Sequence, residues 1–207
     1  MILIERTAVM NLDGAIRGAR NPMNSWAKSD SYYDENGKFV LGPVDIDFGH
    51  RLAVSGSDHR KFLRQVFVTV DITAPLYWWK EFDTYKVGTV ANSCSTMHKI
   101  HAKAFDRDDF SHDRLDEGGL AMLDATIDYL EAERQKFIAD KENRQPWHNM
   151  IQMLPSSYNQ MRTVTLNYEN LINIYYARKS HKLAEWHVLC DWIVTLPAAD
   201  SWILIKN

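Results

Sequence analysis

The sequence predicts a mixed α/β (α+β) fold, and three observations carry this prediction. Residues 65–73, QVFVTVDIT, alternate β-branched and other side chains as a strand with one buried face does. Residues 115–141 repeat apolar side chains every three or four positions, which indicates a long amphipathic helix. The length of 207 residues, with 45% hydrophobic and 25% charged residues, is typical of one globular domain. We therefore expect a single domain over residues 1–207, with more helices than strands.

The elements of the N-terminal part follow from turn and proline signals. Between residues 21 and 43, the pairs Asn-Pro, Asn-Gly and Gly-Pro predict loops or a hairpin. After the strand at 65–73, Pro75 suits the first turn of a helix, and apolar side chains at helical spacing continue that helix through 76–82. The long helix has its far limit at Pro146, because proline cannot continue a helix.

The C-terminal part predicts one strand and two helices. A short strand at 162–166 precedes Asn167, which is a good N-cap for a helix that runs to about Arg178. The last strong helix occupies the stretch 183–197 and stops at its terminal proline. The tail at 201–205 is either a strand or a subunit contact, and the sequence does not choose between the two.

Charge, cysteines and missing motifs exclude several classes of protein. The chain has 24 Lys and Arg against 27 Asp and Glu, a net charge of −3, so we expect no nucleic-acid partner. No apolar stretch approaches the ~20 residues that span a bilayer, and charges at Glu5 and Arg6 disfavour a signal peptide; we expect no membrane partner. Cys94 and Cys190 fit a reducing compartment, so the expected location is the cytoplasm. Glycine-rich phosphate loops and the HExxH, CxxC and GxSxG motifs do not occur.

One polar segment allows two interpretations. Its spacing is compatible with zinc geometry, and the residues concerned are Cys94, His98, His101, Asp106, Asp108, Asp109 and His112. Runs of His and Asp are, however, more often a solvated surface. We favour the solvated surface and predict no metal ligands.

Residues 167–178, NYENLINIYYAR, are the most informative segment. Eleven residues of helix turn about 1100°, only about 20° past three full turns, and rise about 16 Å. Asn167 and Arg178 therefore lie on one stripe at opposite ends, where an amide and a guanidinium can address two parts of one polar ligand. The alternative interpretation is an N-cap and an unrelated surface arginine.

The same region resembles a known family. The C-terminal half of the flavin-dependent thymidylate synthases typically shows Leu-Pro, a Tyr, Asn-x5-Asn-x4-Arg, a His and an Ala-Gln-Trp-Glu run. The matching residues here are Leu154, Pro155, Tyr158, Asn167, Asn173, Arg178, His181, Ala184, Glu185 and Trp186. Glutamate replaces the Gln of the last run, and one extra residue precedes that run.

A second block extends the resemblance. Residues 58–65, the strand after them and Ala74-Pro75 follow the family's Gly-His, strand and Ala-Pro order without gaps. Together the two blocks cover residues 55–100 and 150–195, about half of the chain. The family's Arg-His-Arg-x-x-Ser signature then falls on the six residues TYKVGT.

This signature segment, residues 84–89, departs from the family pattern. Lys86 is its cation and Thr89 stands for the serine. The family's Glu-x-Ser-x-Arg-Tyr motif falls on residues 92–97, NSCSTM, so that Cys94 takes the place of the serine.

The resemblance implies a central sheet flanked by helices and a homotetramer with active sites between subunits. It implies an enzyme that uses FAD, NADPH and methylene-tetrahydrofolate for reductive methylation of dUMP, a pyrimidine nucleotide. Carried over by position, the cofactor-binding residues are His59, Lys86, Thr89, Asn167 and Asn173. The substrate-binding residues are Glu81, Cys94 and Arg178, and no catalytic residue is assigned.

The chain has fewer cations in these motifs than the family. The signature loses its paired arginines, and Ile151 stands where the family has another. Each charged hydrogen bond contributes about 1.5–3 kcal/mol, so two or three losses weaken binding by about 10²–10⁶. We hypothesise that Arg60, Lys61 and Arg64, beside His59, supply part of the missing phosphate contact. The alternative is a solvated basic face of a helix.

Three functions remain open from the sequence. The first is a divergent flavin-dependent thymidylate synthase, or a relative that acts on another pyrimidine nucleotide. The second is a nucleotide- or flavin-binding homologue without methyl transfer, and the third is a structural oligomeric subunit. The retained residues Asn167, Asn173 and Arg178 favour the first two over the third, whereas the divergent segment 84–89 favours the second over the first.

Overall fold

A computed structural model describes residues 2–205; Met1, Lys206 and Asn207, which the predicted single domain includes, lie outside the described residues. The strands are β1 (Leu3–Met10), β2 (Tyr32–Tyr33), β3 (Phe39–Val40), β4 (Phe67–Pro75), β5 (Val90–Ser93) and β6 (Asn159–Asn167). The helices are α1 (Leu12–Arg20), α2 (Pro43–Val54), α3 (Leu76–Phe82), α4 (Glu117–Ala139), α5 (Gln145–Met153), α6 (Tyr168–Arg178), α7 (Ala184–Val194) and α8 (Ala199–Trp202). None of these helices is long and apolar enough to cross a membrane.

Four strands form one sheet in the order β1-β4-β6-β5. Two contacts give the relative direction of the two central strands, β4 and β6. The Tyr168 amide donates to the Val66 carbonyl at 3.1 Å, and the hydroxyls of Thr69 and Thr165 share a hydrogen bond of 2.8 Å. The residue number rises on one strand as it falls on the other, which is the antiparallel arrangement. The mixed class predicted from the sequence is confirmed.

The hairpin expected between residues 21 and 43 is present as β2 and β3. Tyr32 pairs with Val40 and Tyr33 with Phe39, in an antiparallel register. Gly37 occupies the turn with φ +72°, a backbone conformation that favours glycine. The Asn-Gly pair in the sequence therefore marks this turn, as hairpin statistics lead one to expect.

The long helix predicted over 115–141 is confirmed as α4, Glu117–Ala139, which ends before Pro146. Pro146 lies in the first turn of a further helix, α5, which the sequence did not predict and where the fixed φ of proline is favourable. The tail is not a strand, because Trp202 ends α8. Trp202, Ile203 and Ile205 are all buried, so the tail belongs to the core.

The sequence did not predict β1, α1 or α2. Strand β1 exposes six of its eight residues, so it lacks the alternation of buried and exposed side chains that predicts a strand. Helix α1 contains Gly14 and Gly18, which weaken a helical pattern. Helix α2 begins at Pro43 in the sequence PVDIDFGH, whose alternating apolar and polar residues resemble a strand.

The described chain divides into two compact units. The first unit comprises residues 2–3, 72–84 and 92–163, and the second comprises 4–71, 85–91 and 164–205. The core of the first unit lies where α4 packs on α5, and its buried residues are Ile100, Phe105, Phe110, Leu123, Leu130, Phe137 and Met150.

The core of the second unit is built around Trp202. Its ring meets Phe62 edge to face at 5.4 Å, and its indole N–H donates to the Ile46 carbonyl at 3.0 Å. A side chain at Gly49 would approach the Trp202 ring to within 2.4–2.9 Å, so only glycine fits on this turn of α2. The Tyr168 hydroxyl closes the same region by donating to the Pro197 carbonyl at 2.8 Å.

A buried ion pair joins α1 to α2 in the second unit. Arg20, 3% exposed, donates through Nε to Asp45, which is fully buried, at 2.8 Å. Ser29 and Ser31 donate their hydroxyls to the same carboxylate at 2.5 Å each, and the Phe48 ring lies 4.4 Å from the guanidinium carbon. Burial by itself raises the pKa of Asp45, but the hydrogen bonds from the two serines and Arg20 outweigh it and hold the pKa below its usual value.

We expect Arg20→Ala to destabilise the protein by about 3–5 kcal/mol, because it leaves the Asp45 carboxylate buried without a counter-charge. The measurement is urea unfolding at pH 7. Arg51→Ala is the matched control, since Arg51 pairs with Asp47 on the exposed surface and its loss costs at most about 1 kcal/mol. Equal losses for the two variants would contradict the assignment.

The Glu131 carboxylate in α4 accepts four hydrogen bonds within the first unit. It accepts from Nε and Nη2 of Arg134 at 2.7 Å each, from Gln135 at 2.7 Å and from the Phe105 amide at 3.1 Å. The Arg134 hydrogen bonds, followed by those from Gln135 and Phe105, lower the pKa of Glu131 to about 2, against the opposing effect of burial.

Because its pKa is lowered in the folded state, Glu131 stabilises the protein above its unfolded pKa, and this contribution fades as the pH falls from about 5 towards 2. We expect Glu131→Gln to cost about 2 kcal/mol at pH 7 and progressively less on acidification. Urea unfolding of both proteins at several pH values measures this difference. Glu117→Gln, at an exposed position, should show no such pH dependence. A constant difference from pH 7 to pH 3 would refute the prediction.

Candidate functional site

The N-terminus of α6 is closed by a reciprocal pair of asparagines. The Asn167 side chain accepts a hydrogen bond from the Asn170 amide at 3.0 Å, and the Asn167 amide donates to the Asn170 side chain at 3.2 Å. This capping box confirms Asn167 as the N-cap predicted from the sequence. Asn167 is only 8% exposed, and its side-chain oxygen is used to cap the helix.

The signature segment lies directly on this capped end. The Asn170 side chain donates to the Val87 carbonyl at 2.7 Å. Gly88 has φ +74°, and a Cβ atom there would come within 2.9 Å of the side-chain nitrogen, Nδ2, of Asn167. Only glycine combines this backbone conformation with so close an approach. Residues 87–88 are therefore fixed against the start of α6.

Two polar groups of the signature segment remain available for a ligand. The Lys86 side chain is exposed. The Thr89 hydroxyl is buried and has no hydrogen-bond partner within the described part of the chain. A buried hydroxyl without a partner is costly, and in native proteins such a group calls for an explanation.

The basic cluster near His59 divides into one paired arginine and two exposed cations. Arg60 is largely buried and pairs with Glu169 in the first turn of α6, with Nη2 and Oε1 3.0 Å apart. Its charge is therefore already neutralised, so Arg60 is neither solvated nor a spare phosphate contact. Lys61 and Arg64 are exposed on a 3₁₀ turn, and His59 is exposed beside them.

At the other end of α6, Arg178 is surrounded by aromatic rings. Its Nε donates to the Tyr85 hydroxyl at 2.8 Å. The guanidinium carbon lies 4.4 Å from the centre of the Trp186 ring and 5.5 Å from that of Tyr85. Trp186 is fully buried, and the His181 ring meets it edge to face at 6.2 Å. Arg178 is thus half-buried and held in one direction rather than extended into solvent.

These contacts bring part of the predicted site together in the second unit. Residues 85–88 bond to both ends of α6, beside Asn167 at one end and Arg178 at the other. Asn173 is exposed and lies about 120° around the helix from Asn167, so it does not share their stripe. A cavity of about 790 Å³ elsewhere in this unit is lined by none of the predicted site residues.

The remaining predicted residues belong to the first unit. Cys94 is exposed and lies at a cavity of about 250 Å³, whose lining also includes Thr96, Lys99 and Tyr158. The side-chain Nε2 of Gln160 donates to the backbone carbonyl of Cys94 at 2.7 Å. Burial raises the pKa of the Tyr158 phenol. This cavity therefore presents a thiol, a neutral phenol and one lysine.

Glu81 lies on α3 and is half-buried. Its backbone carbonyl accepts from the Thr84 amide at 3.1 Å and from the Thr84 hydroxyl at 2.7 Å, which closes the turn after α3. The substrate-binding role of Glu81 stays a prediction.

The polar segment that allowed a zinc interpretation is held by local hydrogen bonds. His98 shares one with the Ser95 hydroxyl at 2.8 Å, and Lys103 lies 2.9 Å from Asp106 and 2.7 Å from Asp109. Hydrogen bonds to the two carboxylates raise the pKa of Lys103. Within residues 2–205, no three His, Cys, Asp or Glu side chains converge as metal ligands.

Sequence reasoning missed three residues of this site. Tyr85 was passed over as a departure from the signature, although an aromatic residue near a predicted ligand arginine is a signal for stacking. Asn170 stands three residues after the N-cap, which is the position of the second capping-box residue. Gly88 carries the third signal, a glycine inside a loop, where close backbone approach is common.

The fold defined by these units is that of the flavin-dependent thymidylate synthases, as comparison with solved structures shows. Two crystal structures of thymidylate synthase X (ThyX) from Helicobacter pylori, with FAD and dUMP, match with a TM-score of 0.65 and 17% identity. The matches cover 98% of this chain and 95% and 96% of the two ThyX chains.

A third solved structure is the UMP/dUMP methylase PolB from Streptomyces cacaoi bound with 5-Br dUMP, which matches with a TM-score of 0.65 and 11% identity. This match covers 100% of the present chain and 97% of PolB. No protein-family model matches the sequence, and no curated protein is detectably similar to it in sequence. The similarity is therefore one of fold.

We expect Gly88→Ala to destabilise the protein by about 2–3 kcal/mol, because it adds both a left-handed alanine and a contact with Asn167. Gly37→Ala is the matched control: its φ is +72°, but no atom lies within 4 Å of the added carbon. It should cost only about 1 kcal/mol. Urea unfolding of both variants measures the two losses of stability. Equal losses would show that residue 88 does not pack against Asn167.

Proposed function

We propose that the chain is a flavin-dependent thymidylate synthase-like enzyme that methylates dUMP, or a related pyrimidine nucleotide, with FAD, NADPH and methylene-tetrahydrofolate. The observation that carries the proposal is the signature segment bonded to both ends of α6, between Asn167 and Arg178. Support comes from the fold, which ThyX structures with FAD and dUMP and a UMP/dUMP methylase share over nearly the whole chain.

We further propose that the chain acts as a single functional domain and assembles as a homotetramer. Coverage of 95–97% of each solved structure supports the first part, since the present chain spans the length of those proteins. The resemblance to the flavin-dependent thymidylate synthases supports the second part, because the active sites of that family form between subunits.

The residues around the α6 N-terminus fit a flavin. The unpartnered Thr89 hydroxyl has a hydrogen bond to give, and Gly88 lets the backbone come close to Asn167. Lys86 is exposed and cationic, which suits a phosphate. We assign FAD contacts to these residues together with His59 and Asn173. FAD, when bound, supplies the hydride that reduces the transferred carbon.

Arg178 suits the nucleotide. A guanidinium donates two parallel hydrogen bonds to a phosphate or to the polar edge of a uracil, and its plane is set here by Tyr85 and Trp186. In the first unit, Lys99 and Cys94 line the cavity that we assign to the pyrimidine ring, with Glu81 as a further substrate contact. The protein's task is to orient the nucleotide, since no residue is assigned as a nucleophile.

A second candidate is a flavin- or nucleotide-binding homologue that has lost methyl transfer. The pairing of Arg60 with Glu169 favours it, because this pair neutralises a cation beside the proposed flavin site. FAD and dUMP each bring about two negative charges, and the segment 84–89 contributes one lysine in place of two arginines. Weaker anion binding is the physical consequence.

The test is spectroscopic and kinetic. We expect the purified protein, or the protein incubated with FAD, to show flavin absorbance, and to oxidise NADPH faster when dUMP and methylene-tetrahydrofolate are present. Arg178→Ala should weaken dUMP binding in calorimetry by about 10- to 150-fold. Arg51→Ala, an exposed arginine of the same unit, is the control and should bind dUMP normally.

The outcomes separate the candidates. A colourless protein that takes up no FAD overturns the flavin assignment. Flavin binding without nucleotide-dependent NADPH oxidation favours the binding homologue over the enzyme. Unchanged dUMP affinity in Arg178→Ala removes the nucleotide role of that residue.

A further inference from the structure

Arg178 is held by two aromatic residues from different parts of the chain. Tyr85 comes from the signature segment and accepts the Nε hydrogen bond at 2.8 Å. Trp186 comes from α7 and places its ring 4.4 Å from the guanidinium carbon. The two rings meet edge to face, with centroids 6.0 Å apart. The guanidinium is thus fixed in its plane by a hydrogen bond and across its face by a ring.

This arrangement removes freedom that an arginine side chain normally has. A flexible arginine loses rotamer entropy when it binds an anion, and an arginine that is already fixed loses less. The direction of the fixed plane also matters, because a guanidinium recognises phosphates and planar edges through pairs of parallel N–H groups. The Nε–Tyr85 hydrogen bond thus sets the plane in which the guanidinium meets a ligand.

Tyr85 occupies the histidine position of the Arg-His-Arg-x-x-Ser pattern. A tyrosine brings an acceptor oxygen at the end of a long ring, and here that oxygen lies on the Arg178 guanidinium. The ring face also contributes, because its centre is 5.5 Å from the guanidinium carbon. The substitution therefore converts a signature position into a support for the arginine.

We propose that Tyr85 is a positioning residue that orients the Arg178 guanidinium towards the phosphate or uracil edge of a pyrimidine nucleotide. This inference rests on the proposed function for its ligand, but the orientation itself is a property of the free protein. Trp186 packs on the same guanidinium, and it is fully buried, so its replacement risks the fold.

The first experiment needs no nucleotide. The exchange of the Arg178 Nε proton with water is measured by NMR in the free protein, in the wild type and in Tyr85→Phe. The variant keeps the ring and removes only the acceptor, so we expect exchange to accelerate about 10-fold. Tyr32→Phe, at an exposed position of the hairpin, is the control and should leave exchange unchanged. Unchanged exchange in Tyr85→Phe would overturn the proposal, whatever the protein binds.

The second experiment measures dUMP and FAD binding by calorimetry. We expect Tyr85→Phe to weaken dUMP binding about 5- to 20-fold with FAD affinity unchanged, and Tyr85→Ala to weaken dUMP binding further. In steady-state assays the loss should appear in KM more than in kcat, since Tyr85 acts on binding through Arg178. A Tyr85→Phe protein with wild-type dUMP affinity would overturn the positioning role.

The two experiments also separate this inference from the proposed function. If the wild type binds no uridylate, the proposed function fails and the nucleotide part of the inference fails with it. Slower exchange of the Arg178 Nε proton in the wild type than in Tyr85→Phe would then still establish that Tyr85 holds Arg178. If the wild type binds dUMP but the variant is unaffected in both experiments, the inference alone fails.

Discussion

The capping box at the start of α6 is the constraint on which the candidate site depends. Asn167 and Asn170 satisfy each other's backbone groups, and Asn170 has a second hydrogen bond left for the Val87 carbonyl. Glu169, one residue earlier, holds Arg60. One helical turn therefore fixes two other segments of the chain. Any ligand at this turn meets a surface whose backbone is already fixed.

The candidate site divides into what local spacing predicts and what only the fold reveals. The stripe of Asn167 and Arg178 follows from the pitch of a helix, so the sequence predicts it. The partner of Arg60 lies 109 residues away and that of Arg178 lies 93 residues away. Pairings at such separation leave no periodic signal in the sequence, so neither the Arg60–Glu169 pair nor the Arg178–Tyr85 hydrogen bond is predictable from it.

The same distinction holds for the fold. Strand β4 and helix α4 were predictable because each buries one face and repeats its apolar residues with the matching period. Strand β1 was not, since it is largely exposed and its place is decided by the neighbouring strand β4. Helix α2 was not predicted either, because Gly49 and Asp45 serve contacts with distant groups, Trp202 and Arg20.

The second unit is assembled from three separated stretches of chain, and this composition bears on how the protein folds. Its closing contacts join residues far apart, as when the Trp192 indole donates to the Thr7 hydroxyl across 185 positions. Contacts of long sequence separation slow folding, because the entropy of closing a long loop is lost before the contact can stabilise the chain. The α4–α5 core of the first unit lies within one continuous stretch. We therefore expect the α4–α5 pair to form early during refolding, and the surface that carries Arg178 to form last.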